Sequence, residues 1–353
     1  MELREMAAKA AEVRASDIFL KAGAPPMMRL HGKITNLGEF PALTSDDTQE
    51  LAYGIMSHEQ IGRFERRHEM DLAMQIDGLA RFRVNIYQQR GTIGMVLRII
   101  PLEVYSLESL GMPAVLNDVA LAHQGLVLVT GPTGCGKSTT LAAMIDLINR
   151  NRRCNIVTVE DPIEFVHPDK KAIVNQREIG IDTDSFTDSL KYAMRQSPDV
   201  ILVGEMRDVE TMNVALAAAE TGHLVFSTVH TSSAAETLDR IMNMFPPHDK
   251  PIVCLRLSVS LKAVISQKLI PRSDKAGRIA GIEVMIANPT ISKLLEDGKS
   301  GQIYQAIGEG GFWGMQTMNQ CLDQFYKNGI ISEEEAVANA GNITELRQMM
   351  RRQ

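Results

Sequence analysis

Gly131-Pro132-Thr133-Gly134-Cys135-Gly136-Lys137-Ser138 is the stretch of this chain whose residue types and spacing most plainly do chemistry. It fits G-x-x-x-x-G-K-[ST], the pattern of a loop that wraps phosphate. Glycines let successive backbone N–H groups turn inward on phosphate oxygens with no Cβ in the way. Lys137 can reach the outer phosphates, and the Ser138 hydroxyl can ligate Mg²⁺. The apolar run Gly125 to Thr130 precedes the loop, and Leu141, Met144, Ile145 and Ile148 follow it at helical spacing. Strand, glycine loop and helix N-terminus in that order aim a helix dipole at an anion. The expectation is a nucleotide-binding chain, with Gly131 through Thr139 against the phosphates.

Other residues have complementary chemistry. Val200-Ile201-Leu202-Val203-Gly204-Glu205 reads as a buried strand ending in a carboxylate, which beside such a loop can hold a Mg²⁺ hydration shell or orient water. A second β-branched run, Cys154 to Val159, ends in Glu160-Asp161-Pro162-Ile163-Glu164. Pro162 bars a helix there and makes the acidic corner rigid. A carboxylate in that corner can take a proton from attacking water; the bland alternative is a solvated acidic loop. His223 and His230 stand at the two ends of another apolar run, roughly 23 Å apart at strand rise, too far to share one metal ion. His230 at the far end could contact a terminal phosphate, whereas His223 reads equally well as structural.

Arginines complete the set. Arg195 and Arg207 bracket the Glu205 strand, and Arg81, Arg83, Arg90 and Arg98 stud the first hundred residues. Arg81 and Arg83 share one face if the segment is a strand. Guanidinium groups neutralise transferring phosphoryl charge, often from a neighbouring subunit, though an exposed arginine is as often a plain surface residue.

These residues need a scaffold, and 353 residues are enough for two domains with cores of their own. From Leu121 onward strands alternate with helices. Buried strands are expected at 125–130, 155–159, 200–204, 223–229 and 279–286, with helices at 138–149, 185–196, 208–220, 233–243 and 250–267. That alternation predicts an α/β core with a largely parallel sheet covered on both faces. Earlier, the pattern gives a strand over Asp17 to Lys21, a hairpin from Met27 through His31 to Ile34, and a helix over Thr44 to Met56. A strand-rich stretch follows over 70–100, with turns at Asp77-Gly78 and Arg90-Gly91 and Pro101 closing it. The expected division is an α+β domain over 1–101, a linker with a short helix over 102–117, the core over 118–288 and a helical region over 289–353. Asn342 and Glu345 are spaced to cap the last helix.

Composition narrows the classes. A net charge of −6 argues against general nucleic-acid binding. No apolar run approaches ~20 residues, and the charged opening Met1-Glu2-Leu3-Arg4-Glu5 is unlike a secretory signal. Four cysteines, at 135, 154, 254 and 321, form no C-x-x-C pair, which excludes a sequence-local zinc site and speaks against a disulfide framework. Cys135 reads as a small loop residue, not a nucleophile, and the expected location is the cytoplasm.

Met194-Arg195-Gln196-Ser197-Pro198-Asp199-Val200-Ile201-Leu202-Val203-Gly204-Glu205-Met206-Arg207-Asp208 resembles the long signature of the secretion-type ATPases of the type II secretion and type IV pilus superfamily. Glu160 to Glu164 resembles that superfamily's acidic box and His223 to His230 its histidine box, so the likeness spans nearly the whole chain. Ser16-Asp17-Ile18-Phe19-Leu20 with Gly23 and Pro25-Pro26 resembles the pilus-retraction branch, as does Gly314-Met315-Gln316-Thr317-Met318. Assembly motors of the superfamily usually carry an extra N-terminal domain and often a tetra-cysteine zinc site. Retraction motors share Ala-Ile-Arg-Asn-Leu-Ile-Arg-Glu; here Thr290-Ile291-Ser292-Lys293-Leu294-Leu295-Glu296-Asp297 keeps the apolar spacing and lacks both arginines. A principal retraction motor and an accessory paralogue therefore both stay open.

The resemblance implies a RecA-like P-loop core, a smaller PAS-like N-terminal domain and a hexameric ring with ATP and Mg²⁺ between domains. Lys137 and Ser138 would hold phosphate and Mg²⁺, with Glu205 as the Walker B acid. Glu164 would be the general base, with Glu160 in reserve, and His230 the γ-phosphate sensor. Arg81, Arg83 and Arg98 would register nucleotide from the N-terminal domain, and Arg195 and Arg207 would act in trans. Implied partners are an inner-membrane pilus platform protein and a paralogous retraction ATPase, with the ring peripheral to the membrane at the pilus base. The rival readings are a nucleic-acid translocase, a nucleotide-binding adaptor ring and an assembly motor.

Overall fold

A computed structural model describes residues 2–30, 32–100 and 104–351; His31 of the expected hairpin, Pro101 and the first two linker positions lie outside them. The chain divides into two compact units, Met1–Glu103 with Glu164–Val166, and Val104–Ile163 with His167–Gln353.

Period-two burial builds the first unit. Its elements are α1 (Leu3–Glu12), β1 (Asp17–Lys21), β2 (Met27–Leu30), β3 (Lys33–Asn36), α2 (Ser45–Gly54), α3 (His58–Arg67), β4 (Glu69–Ile76), β5 (Ala80–Gln89) and β6 (Thr92–Ile100). The strands form one antiparallel sheet in the order β3-β2-β1-β6-β5-β4. On β5 the side chains of Ala80, Phe82, Val84 and Ile86 are buried, while Arg81 is half-buried and Arg83 exposed, so both arginines share the outer face as expected. α2 starts where expected: Thr44 Oγ1 accepts from the Asp47 N–H at 3.1 Å, and the Asp47 carboxylate accepts from the Thr44 N–H at 2.8 Å. Such a box contributes about 1 kcal/mol. Sequence periodicity missed α3, whose one buried side chain is Phe64.

Continuous apolar strands build the second unit. It runs α4 (Val115–Ala120), β7 (Gly125–Thr130), α5 (Lys137–Asn151), β8 (Asn155–Glu160), β9 (Ile173–Glu178), α6 (Phe186–Ala193), β10 (Val200–Val203), α7 (Val209–Glu220), β11 (Leu224–Val229), α8 (Ala234–Met244), α9 (Lys250–Ser260), β12 (Leu261–Pro271) and β13 (Arg278–Ile286). The sheet order is β13-β12-β7-β11-β10-β8-β9, parallel throughout except for β12 with β13. Alternate residues of one strand feed two cores. Leu126 and Leu128 join α7, α8 and α9 on one face, and Val127 and Val129 join α4 and α5 on the other. Burial on both faces is why these strands read as unbroken apolar runs.

The C-terminal segment is helical as expected: α10 (Pro289–Glu296), α11 (Ile303–Glu309), α12 (Met318–Lys327), α13 (Glu333–Asn339) and α14 (Ile343–Arg351), with two short 3₁₀ turns. Its own core gathers Met318, Leu322, Ile331, Ala336 and Leu346 around Ile270 of β12. Asn342 caps α14 through the Glu345 N–H at 3.1 Å, but the Glu345 carboxylate turns away to Tyr304 and Asn319. Among the described residues no helix is long and apolar enough to cross a membrane.

One expectation is overturned. The helix expected over 250–267 stops at Ser260, and Leu261–Pro271 is a strand held between β7 and β13. Val253, Leu257, Leu261 and Val264 keep a helical period, so spacing alone runs straight through the junction. The slot in the sheet decides the conformation, because pairing on both sides satisfies the backbone while Ala263, Val264 and Ile265 become fully buried. β9 was not anticipated either. It is an edge strand with alternating partial exposure.

His167 of the second unit is buried, and burial pushes its imidazole down to about 4; Asp146 opposes that shift and Lys170 adds to it. The folded chain refuses a proton that the unfolded chain accepts. This contribution to stability is therefore full above the ordinary histidine pKa of about 6.5 and is lost as pH falls towards 4. In His167→Gln the fall in urea midpoint between about pH 7 and pH 5 should shrink; an undiminished fall would exclude His167 as its source.

Candidate active site

Parallel pairing brings the chemistry to one edge. β7, β11, β10 and β8 run side by side, with Thr130 opposite Val229, Val203 opposite Ser227, and Val203 opposite Val159. Their carboxyl ends emerge together, with Glu160 at the last position of β8 and Gly131, His230 and Gly204-Glu205 just beyond β7, β11 and β10. That is where open α/β sheets bind ligands.

The loop after β7 is shaped by close approaches. Gly131 (φ 142°), Gly134 (φ 77°) and Gly136 (φ 93°) take backbone conformations that disfavour side chains. A Cβ on Gly131 would stand 2.3 Å from the Gln267 carbonyl oxygen and 2.6 Å from Cys135 Sγ. Lys137, 8% exposed, folds its ammonium back over the loop. Nζ donates to the carbonyls of Gly131 (2.9 Å) and Pro132 (3.1 Å) and lies 3.5 Å from His230 Nδ1. Ser138 and Thr139 are half-buried in the first turn of α5. Burial raises the Cys135 thiol above its ordinary range, against the smaller pull of Lys137, which fits an inert loop residue.

His230 links the loop to the acid. Its Nε2 lies 3.6 Å from Glu205 Oε2, while Arg207 Nε sits 2.7 Å from Glu205 Oε1. Lys137, His230, Glu205 and Arg207 thus form one chain of polar contacts. Thr228 Oγ1 donates to the Gly204 carbonyl at 2.6 Å and steadies the turn that carries Glu205. Gly204 packs so tightly on β8 that a Cβ there would be 3.3 Å from Glu160 Cα. Glu160 Oε1 accepts from Thr158 Oγ1 (2.6 Å) and Gln176 Nε2 (3.1 Å), which fixes the carboxylate at the strand end. The Asp161–Pro162 peptide is cis, and Glu164 beyond it is exposed.

The remaining expected residues lie elsewhere. His223 caps the end of α7, its Nδ1 2.9 Å from the Ala218 carbonyl, so the structural reading holds for it. Arg195, in the turn after α6, is exposed. In the first unit Arg83 faces Arg98 across β5 and β6, and Asp17 on β1 holds Arg98 at 3.2 Å and Arg29 at 3.2 Å.

Gln267 was missed because its segment was expected to be helical. On β12 it is buried; Nε2 donates to the Cys135 carbonyl at 2.7 Å and Oε1 accepts from Thr140 Oγ1 at 2.9 Å. Beyond it a cavity of about 500 Å³ opens, bounded by Gly136 and Thr139 of the loop, Leu110 and Met112, and Leu269 and Arg278. Apolar walls with a few cationic groups, directly beside a phosphate loop, suit a nucleoside.

The model of the type II/IV secretion system protein family matches residues 2–348. The type IV pilus retraction ATPase PilT of Pseudomonas aeruginosa is 48% identical over 95% of this chain and 97% of its own. The type IV pilus ATPase PilU of the same organism is 41% identical over 99% of this chain and 92% of its own. A crystal structure of the pilus retraction motor PilT with bound ADP superposes with a TM-score of 0.92 at 44% identity, covering 99% of both chains.

The contact between Gly131 and β12 yields a direct test. Gly131→Ala should push the loop off β12, seen as faster amide hydrogen exchange at 131–136 with β9 unaffected. Unchanged exchange in the loop would mean that the close approach does not constrain it.

Proposed function

This chain belongs to the type II/IV secretion system protein family, and from that membership we propose that it is an ATP-hydrolysing motor that drives retraction of a type IV pilus. The observation that carries the reading is the polar chain Lys137–His230–Glu205–Arg207 beside the glycine loop, in a protein 48% identical to a retraction ATPase.

In this mechanism the loop residues Gly131 to Thr139, through every backbone N–H but that of Pro132, which has none, bind the triphosphate together with the Lys137 ammonium. Phosphate gives Lys137 a charged partner in place of two neutral carbonyls, a stronger hydrogen-bonding arrangement. Ser138 and Glu205 offer hard oxygen donors, which fit Mg²⁺. When bound, Mg²⁺ would neutralise charge on the phosphate oxygens. His230, between Lys137 and Glu205, reports the terminal phosphate to both. Glu164 accepts the proton of attacking water, and Glu160, fixed by Thr158 and Gln176, is the alternative base. Arg207 and Arg195 neutralise developing charge in a neighbouring copy of a hexameric ring, and Arg81, Arg83 and Arg98 register nucleotide from the N-terminal domain. The ring works in the cytoplasm against an inner-membrane platform protein at the pilus base.

The segment 290–297 favours a second reading, an accessory paralogue acting beside a principal motor. It forms α10, with Ile291 and Leu295 buried, and Ser292 and Glu296 stand where retraction motors have arginines. Deleting the gene and counting surface pili separates the readings. An excess of non-retracting pili supports the principal motor, retraction that persists with weakened force supports the accessory role, and loss of pili would overturn retraction altogether.

Lys137→Ala and Glu205→Ala should each lower ATP turnover by at least about 100-fold; near wild-type turnover in either would refute the site. Glu164→Gln should retain nucleotide binding and lose turnover, and loss of both together would make Glu164 structural.

A further inference from the structure

We infer that Gln267 is the positioning residue that holds the phosphate loop in its binding shape, an inference that rests on the ATPase reading above. Its amide spans the loop. Nε2 donates to the Cys135 carbonyl and Oε1 accepts from Thr140 Oγ1, so one side chain ties the end of the loop to the first turn of α5. Between those anchors lie Gly136, Lys137, Ser138 and Thr139.

The geometry of a peptide unit explains what the anchor does. In a trans peptide the C=O and N–H point in opposite directions. Holding the Cys135 carbonyl on Gln267 therefore turns the Gly136 N–H away from β12, to the side where a phosphate would accept it. Two glycines of the loop close on the same residue. A Cβ on Gly131 would meet the Gln267 carbonyl oxygen at 2.3 Å, and one on Gly136 would meet Nε2 at 3.2 Å. An amide is the side chain this position requires, because it must donate to a carbonyl and accept from a hydroxyl at once. Glutamate matches its size but loses the donor and sets a carboxylate behind a loop that must receive anions. Gln267 touches no reacting atom, so its effect should fall on binding more than on chemistry.

The test uses the full-length chain, steady-state ATPase kinetics and thermal unfolding. Gln267→Glu and Gln267→Leu should raise KM for ATP by about tenfold or more, with a smaller change in kcat and an unfolding midpoint close to wild type. Thr140→Val, which removes only the Oε1 partner, should raise KM by less than Gln267→Glu does. Wild-type KM in Gln267→Glu would overturn the inference. So would a fall in kcat at unchanged KM, or an affinity loss that simply tracks a lowered midpoint. If Gln267→Leu does not fold, Gln267→Glu and Thr140→Val decide. Lys137→Ala run alongside separates the two levels. Normal turnover in that variant sinks the ATPase reading itself, whereas an inactive Lys137→Ala with a normal Gln267→Glu sinks this inference alone.

Discussion

The close approach of Gly131 to β12 is the constraint around which the second unit is arranged. A side chain at that position would stand 2.3 Å from a backbone oxygen, closer than any relaxed contact permits. With glycine there, the chain leaves β7, passes close against β12 and enters α5, and Lys137 folds back over the loop. The approach depends on β12 lying beside β7, and β13 pairs along the other edge of β12. A parallel core that ends in one antiparallel strand is thus tied directly to the shape of the loop.

The polar chain beside the loop is built for exchange more than for strength. Arg207 is 73% exposed and Glu205 14%, so water screens their pairing, and exposed pairs of this kind contribute about 0–1 kcal/mol. Lys137 is different: buried, it spends its hydrogen bonds on neutral carbonyls that an anion can outcompete. Parallel strand ends supply rigid anchor points, and the side chains between them can change partners without disturbing the sheet.

Legibility of the fold followed the physics of each segment. β7, β8, β10 and β11 were readable because burial on both faces leaves unbroken apolar runs, and the cap at Asn342 because its chemistry is local. β12 was not. Its apolar residues continue the helical period of α9, and only its neighbours in the sheet make it a strand. The site shows the same split. Lys137, Glu205 and His230 stand in motifs with chemical meaning in sequence, whereas Gln267 meets its partners from 132 and 127 residues away. Gln176 reaches Glu160 only because β9 pairs with β8. Nothing local announces either glutamine.

Consecutive residues of β12 face different duties. Gln267 meets the loop, Lys268 donates to the Asn339 carbonyl at 3.0 Å, Leu269 walls the cavity and Ile270 enters the C-terminal helical core. The last helices are therefore no detachable appendage. A chain cut short before α12 would strip Ile270 of its covering and release Lys268 one residue from the loop anchor. A truncation far along the gene would reach back through β12 to the glycines at 131–136, more than 180 residues earlier in the chain.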